Sequence, residues 1–153
     1  MAIDTKDVRS ILNDLIQTCK DGQQGFVDAA HHVHDPYVKT MFLELSQQRS
    51  MYAGELQQEV TRLQGEPETS GTAAGALHRG WIDFKAKVSG QNDQAAIREA
   101  ERGEDAAVTA YRIAMEKMLP EDIRNTLERQ FKAILDAHRR VRALEVRSSG
   151  GAA

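Results

Sequence analysis

The chain has 153 residues, a formal net charge of -3, 41% hydrophobic residues and 28% charged residues. That length fits one domain able to bury a core without covalent staples, and the near balance of charge leaves no large basic surface for nucleic acid or anionic lipid. The single cysteine, Cys19, has no partner for an internal disulfide, which points to a reducing compartment.

The opening stretch MAIDTKDVRS lacks the apolar run of a signal peptide, and nowhere do about 18 uncharged apolar residues follow one another as a membrane helix requires. A cytoplasmic protein that makes no membrane contact is therefore expected. One domain is expected over residues 1–147, followed by a disordered tail of small residues, 148–153.

Apolar residues recur at helical spacing throughout, with no strand-like alternation. In the first segment Val8, Leu12, Leu15, Cys19, Gly22, Phe26, Ala29 and Val33 step by four and three, which is a heptad seam. HHVHDP follows, beginning at His31. It reads as a helix end with cationic side chains favoured by the dipole, against the alternative of a metal clasp formed by His31, His34 and Asp35.

Asp35-Pro36 then caps a second segment with Val38, Phe42, Leu45, Arg49, Tyr52 and Leu56 on its seam, closed by Gly65. The connection over residues 65–91 is long. It holds the turn-rich GEPETSGTAAG and a short amphipathic stretch with Leu77, Trp81, Phe84 and Val88.

Asn92 or Asp93 caps a third segment carrying Ile97, Ala100, Glu104, Ala107, Tyr111, Ala114 and Met118. Pro120, followed by Glu121 and Asp122, opens a fourth with Ile123, Leu127, Phe131, Ile134, His138 and Val141. The first two helices form one antiparallel hairpin and the last two another. A crossover long enough to travel the height of the bundle then starts the third helix at the same end as the second, the connectivity of ferritin-like bundles, with the ordinary up-down-up-down bundle as the alternative.

Each seam carries one odd residue near its middle: Cys19, then Arg49 with Tyr52, then Glu104, then His138. Midpoints of antiparallel helices meet at one height, so these side chains are expected to form a core polar cluster, where an unpaired charge costs several kcal/mol. The competing outcome is that helix rotation or a snorkelling arginine stem takes Arg49 or Glu104 to the surface.

The stretch ERGEDAAVTAY resembles the third helix of rubrerythrin and other ferritin-like proteins, in which a metal-ligating Glu stands three residues before a small residue and seven before an aromatic. Glu104, Ala107 and Tyr111 fit that pattern. From about residue 8 to 145, including LNDLIQTCKDGQQGF and AHRRVRAL, the chain more closely resembles a bacterial family of uncharacterised ferritin-like four-helix-bundle proteins known as a domain of unknown function. The resemblance implies an all-α, ferritin-like four-helix bundle with one long crossover that carries a short helix between helices 2 and 3.

Ferritin-like di-iron sites take one Glu from each of two helices and a Glu-x-x-His pair from each of the others. Matched residue by residue, Glu104 and His138 are present. Cys19 stands where a carboxylate belongs, with Asp21 close by; Arg49 and Tyr52 stand where Glu and His belong; and Leu135 precedes His138 by three. No metal or other cofactor is therefore expected, and Arg49 is read as the cation paired with Glu104, with Tyr52 and His138 completing the hydrogen bonds.

The expected function is binding or assembly, not catalysis, with an unidentified protein partner or a second copy of the chain. The alternative is a metal-binding oxidoreductase or iron-handling protein with an atypical site at Glu104 and His138, holding iron or another divalent metal.

Overall fold

The computed structural model describes residues 3–69, Trp81 and 92–151, with side chains described as far as Glu145. Its elements are four helices, α1 (Thr5–His31), α2 (Pro36–Arg62), α3 (Asp93–Met115) and α4 (Glu121–Gly151), and no strand occurs among the described residues. Among these residues no helix is long and apolar enough to cross a membrane.

Local chemistry sets the helix ends. Asp4, Asp35 and Asn92 each accept a bond from a backbone N–H of the first turn, and Pro36 occupies a first-turn position where its missing N–H costs nothing. At the end of α2, the left-handed residue is Gln64, with φ of 63°. Gln64 N–H returns to the Thr61 carbonyl and Gly65 N–H to the Val60 carbonyl, both at 2.9 Å, closing a Schellman turn. Gly65 matters for a different reason from the one its position suggests: a Cβ there would lie 2.4 Å from the Arg9 side chain.

Three contacts fix the topology. The Asp93 carboxylate, at the start of α3, accepts the backbone N–H groups of His34 and Asp35, at the start of α2, at 2.7 and 2.9 Å. Arg62 near the end of α2 reaches Asp122 at the start of α4 at 2.7 Å, and Arg9 in α1 donates to the Leu63 carbonyl at 2.8 Å. Thus α2 and α3 begin at the same end, as in ferritin-like folds. The expected short helix with Leu77, Phe84 and Val88 lies outside the described residues; of that stretch only Trp81 is described, and it is buried.

The seams of α1, α2 and α3 face inward as read, except that Met118 falls beyond α3 and is exposed. The seam of α4 is rotated. Its buried positions are Ile123, Leu127, Gln130, Ile134, Ala137, Val141 and Leu144, a strict alternation of four and three that leaves Phe131 and His138 on the flank. The helix also runs on through Gly151, past the expected boundary at residue 147, its hydrogen-bond ladder continuing with no proline to stop it.

Two apolar clusters fill the interior. One gathers Leu12, Leu15, Leu56, Tyr111 and Leu127 at the end where α1 begins; the other gathers Phe26, Phe42, Trp81, Ile97 and Val141 at the opposite end. Arg49 and Glu104 lie between them.

Candidate functional site

Arg49 and Glu104 are 1% and 0% exposed, and Arg49 is the largest fully buried side chain among the described residues. Nη1 of Arg49 donates to Oε1 of Glu104, and Nη2 donates to Oε2 at 2.6 Å, a two-pronged pair that uses both carboxylate oxygens. Burial works against the Arg49 charge, but the facing carboxylate of Glu104 and its hydrogen bonds outweigh it and hold the guanidinium above its ordinary pKa.

The third donor of the fork, Nε, reaches Oε1 of the adjacent Gln48 at 3.3 Å. Phe26 lies beneath the guanidinium, its ring centroid 5.4 Å from Cζ. The stem passes close to Gly22 on α1, where an added Cβ would stand at ordinary contact distance, 3.4 Å, from Arg49 Cγ and Nη1.

Trp81 closes one side of this layer. A Cβ on Gly25 of α1 would lie 2.2 Å from its indole, and one on Gly103 of α3 would lie 2.3 Å away, so the ring rests directly on both helix backbones. Phe26 meets the indole edge-on, with ring centroids 5.2 Å apart.

Below the ion pair runs a second polar chain. The Cys19 thiol contacts the Tyr111 hydroxyl at 3.3 Å, and that hydroxyl donates to Gln130 Oε1 at 2.7 Å. The Gln130 amide donates to Glu55 Oε1 at 2.9 Å and toward the Tyr52 carbonyl at 3.5 Å. Burial pushes the Cys19 thiol and the Tyr111 hydroxyl above their usual pKa values.

Of the five residues expected to meet, Cys19, Arg49, Tyr52 and Glu104 are buried at mid-height. His138 is not among them. Its Nε2 sits 2.5 Å from Oδ1 of the exposed Asp105, on the α3–α4 flank. The rotated seam of α4 accounts for this, and Gln130 is the polar residue that helix brings inward.

Tyr52 and His138 were expected to complete the hydrogen bonds of Arg49; its remaining described bond goes to Gln48 instead. His31, His34 and Asp35, the alternative clasp, form no metal-holding group among the described residues: His31 is exposed, and His34 Nδ1 lies 3.2 Å from Asp93 Oδ1. Although burial raises the Asp93 carboxyl, the backbone N–H groups of Asp35 and His34 draw it below its usual range.

Gln130 was findable, because strict four-and-three spacing from Leu127 lands on it. The indole seat on Gly25 and Gly103 carries no such signal, since the two glycines lie on different helices and Trp81 is far from both in the sequence. Among the described residues, no three His, Cys, Asp or Glu side chains converge as a metal would require.

The fold is shared with solved structures of low sequence identity. A Dps1 variant of Mycobacterium smegmatis matches with a TM-score of 0.79 at 18% identity, over 92% of this chain and 96% of that one. The tetragonal form of Mycobacterium smegmatis Dps matches at 0.78 and 20% identity, over 91% and 86% of the two chains. A conserved hypothetical protein from Mycobacterium tuberculosis matches at 0.75 and 16% identity, over 93% and 99%. No curated protein matches the chain. Residues 7–117, well over half of the chain and including both members of the ion pair, match the family described as a domain of unknown function, DUF2383, and the protein belongs to that family.

Proposed function

We propose that this chain is a ferritin-like bundle whose central layer is held by an Arg–Glu ion pair where metal-bearing bundles of this architecture seat two cations. On this reading it acts through binding or assembly in the cytoplasm, with no resident cofactor and no catalytic step. The observation that carries it is the two-pronged pair of Arg49 and Glu104 at full burial.

The donor set does not fit a di-metal centre. A guanidinium keeps its charge at any physiological pH and repels a divalent ion from the same space. Both oxygens of Glu104 are already engaged, and His138, the other ligand that the resemblance supplies, faces Asp105 instead. Cys19 is held by Tyr111, and burial disfavours the thiolate that would bind a metal.

The test is anaerobic purification with added ferrous iron, followed by elemental analysis of the native protein and of Glu104→Ala. Iron that stays far below stoichiometric and does not depend on Glu104 is expected. Near-stoichiometric iron lost on Glu104→Ala would overturn the reading in favour of an iron-handling site.

A further inference from the structure

Two carboxyl groups meet across the flank between α3 and α4. Glu101 on α3 is hydrogen-bonded to Glu145 on α4, and the Glu101 side chain is 17% exposed. Two ionised carboxylates have no hydrogen to offer each other, so this bond exists only while one of the pair carries a proton. The contact therefore holds one proton between two helices.

The charged neighbours do not displace that proton. Asp105, one turn along α3, adds a third negative charge; His138 on α4 opposes it, while its own ring nitrogen bonds Asp105. Arg142 Nε stands 3.9 Å from Glu101 Oε1, with its side chain 69% exposed. Arg98 and Arg102 of α3 are exposed, Arg102 standing 4.0 Å from Glu99, and on the far side of α4 Arg140 faces Glu44 of α2. The bond to Glu145, followed by burial, raises Glu101 from 4.5 to about 7.

The place of the pair gives the proton a use. Glu145 follows Leu144, the last buried residue described on α4, and the helix runs on to Gly151. Val141 and Leu144 belong to the apolar cluster that also holds Ile97 and Ala100. We propose that the proton shared by Glu101 and Glu145 is a pH-operated fastener, which holds the last turns of α4 against α3 in acid and lets them open as the solution turns neutral. Opening there lifts Val141 and Leu144 off their cluster, so apolar surface at that end of the bundle is offered near neutrality and withdrawn below it.

In the open helix Glu101 returns to the ordinary 4.5, so through the interval up to about 7 the closed form keeps a proton that the open form has lost. Closure is fully supported below 4.5 and loses that support as pH rises through about 7. The fastener is independent of the ion pair in the core.

Two measurements on the full chain test this. In amide hydrogen exchange corrected for intrinsic rates, opening of residues 139–147 is expected to rise about three- to five-fold from about pH 5 to about pH 7.5, the partly solvated flank keeping the change small. In a carboxyl-carbon NMR titration, Glu101 is expected to have its midpoint at about 7. Glu145→Gln supplies an amide donor with no proton to lose, so the end is expected to stay closed at both pH values and Glu101 to titrate in the ordinary carboxylate range. Glu145→Ala removes the partner, and the neutral native exchange rate is expected at both. Native protection that does not change with pH, a pH response that survives in Glu145→Gln, or a native Glu101 midpoint near 4.5 would each overturn the proposal.

Discussion

Arg49 on α2 and Glu104 on α3 meet across the diagonal of the bundle, since the neighbouring pairs are α1–α2, α3–α4, α1–α3 and α2–α4. Neither side chain has another described partner of opposite charge. Replacing Arg49 by Leu therefore strands a buried carboxylate, and the expected loss of stability is about 3–5 kcal/mol. Glu104→Leu strands the guanidinium at similar cost. The double variant is expected to recover most of either loss, because two apolar side chains of fitting size need no desolvated charge. Urea denaturation of the four proteins gives the coupling directly, and two nearly harmless single changes would show that the pair contributes little.

Trp81 is the chain's one tryptophan, so its fluorescence reports on its seat. Gly25→Ala and Gly103→Ala each place a methyl where the indole now lies, and each is expected to cost about 1–3 kcal/mol and to shift the emission to the red. Gly22→Ala is the contrast. Its new methyl meets Arg49 at an ordinary 3.4 Å, and the gain in helix propensity of about 1 kcal/mol offsets the crowding. Near-native emission is expected there.

Tyr111→Phe removes the hydroxyl that joins Cys19 to Gln130. Gln130 is fully buried, so its orphaned oxygen is expected to cost about 1–3 kcal/mol. In the native protein Cys19 is buried and its thiol pKa is raised. Labelling by a thiol reagent at neutral pH is thus expected to follow unfolding, with a rate that rises in urea in step with loss of helix.

On the α3–α4 flank, Glu101 takes a hydrogen bond with Glu145, is partly desolvated, and faces Asp105 as well; these raise its carboxyl from 4.5 to about 7 despite the opposing influence of His138. Arg142 stands 3.9 Å away. Between those two values the folded state holds a proton that the unfolded chain has released. Stability is therefore expected to fall as pH rises from about 4.5 to about 7. Solvent screening keeps the effect under about 1 kcal/mol. Glu101→Gln is expected to flatten that part of the stability–pH curve, measured by denaturation across the window.

The helices and their caps were legible because heptads, prolines and capping residues act locally. The long crossover also declared the connectivity, which the Asp93 contact with His34 and Asp35 bears out. Arg49 and Glu104 were legible as intruders on apolar seams, since only full burial makes a charge on a seam unusual. His138 misled because Phe131, next to Gln130, drew the α4 seam one position too far. Strict alternation through Gln130 and Ala137 gives the true face, at the price of accepting a buried amide. Trp81 against Gly25 and Gly103 was illegible: close approach between distant backbones leaves no periodic trace.

The ionic layer also removes an ambiguity that the apolar clusters leave open. Heptad seams look alike every seven residues, so a helix sliding by one repeat, about 10.5 Å, would still bury aliphatic side chains. Such a slide of α2 against α3 would separate Arg49 from Glu104 and leave two desolvated charges facing hydrocarbon. One pair of residues thus sets the vertical alignment of the whole assembly, much as a lone polar residue does in a coiled coil.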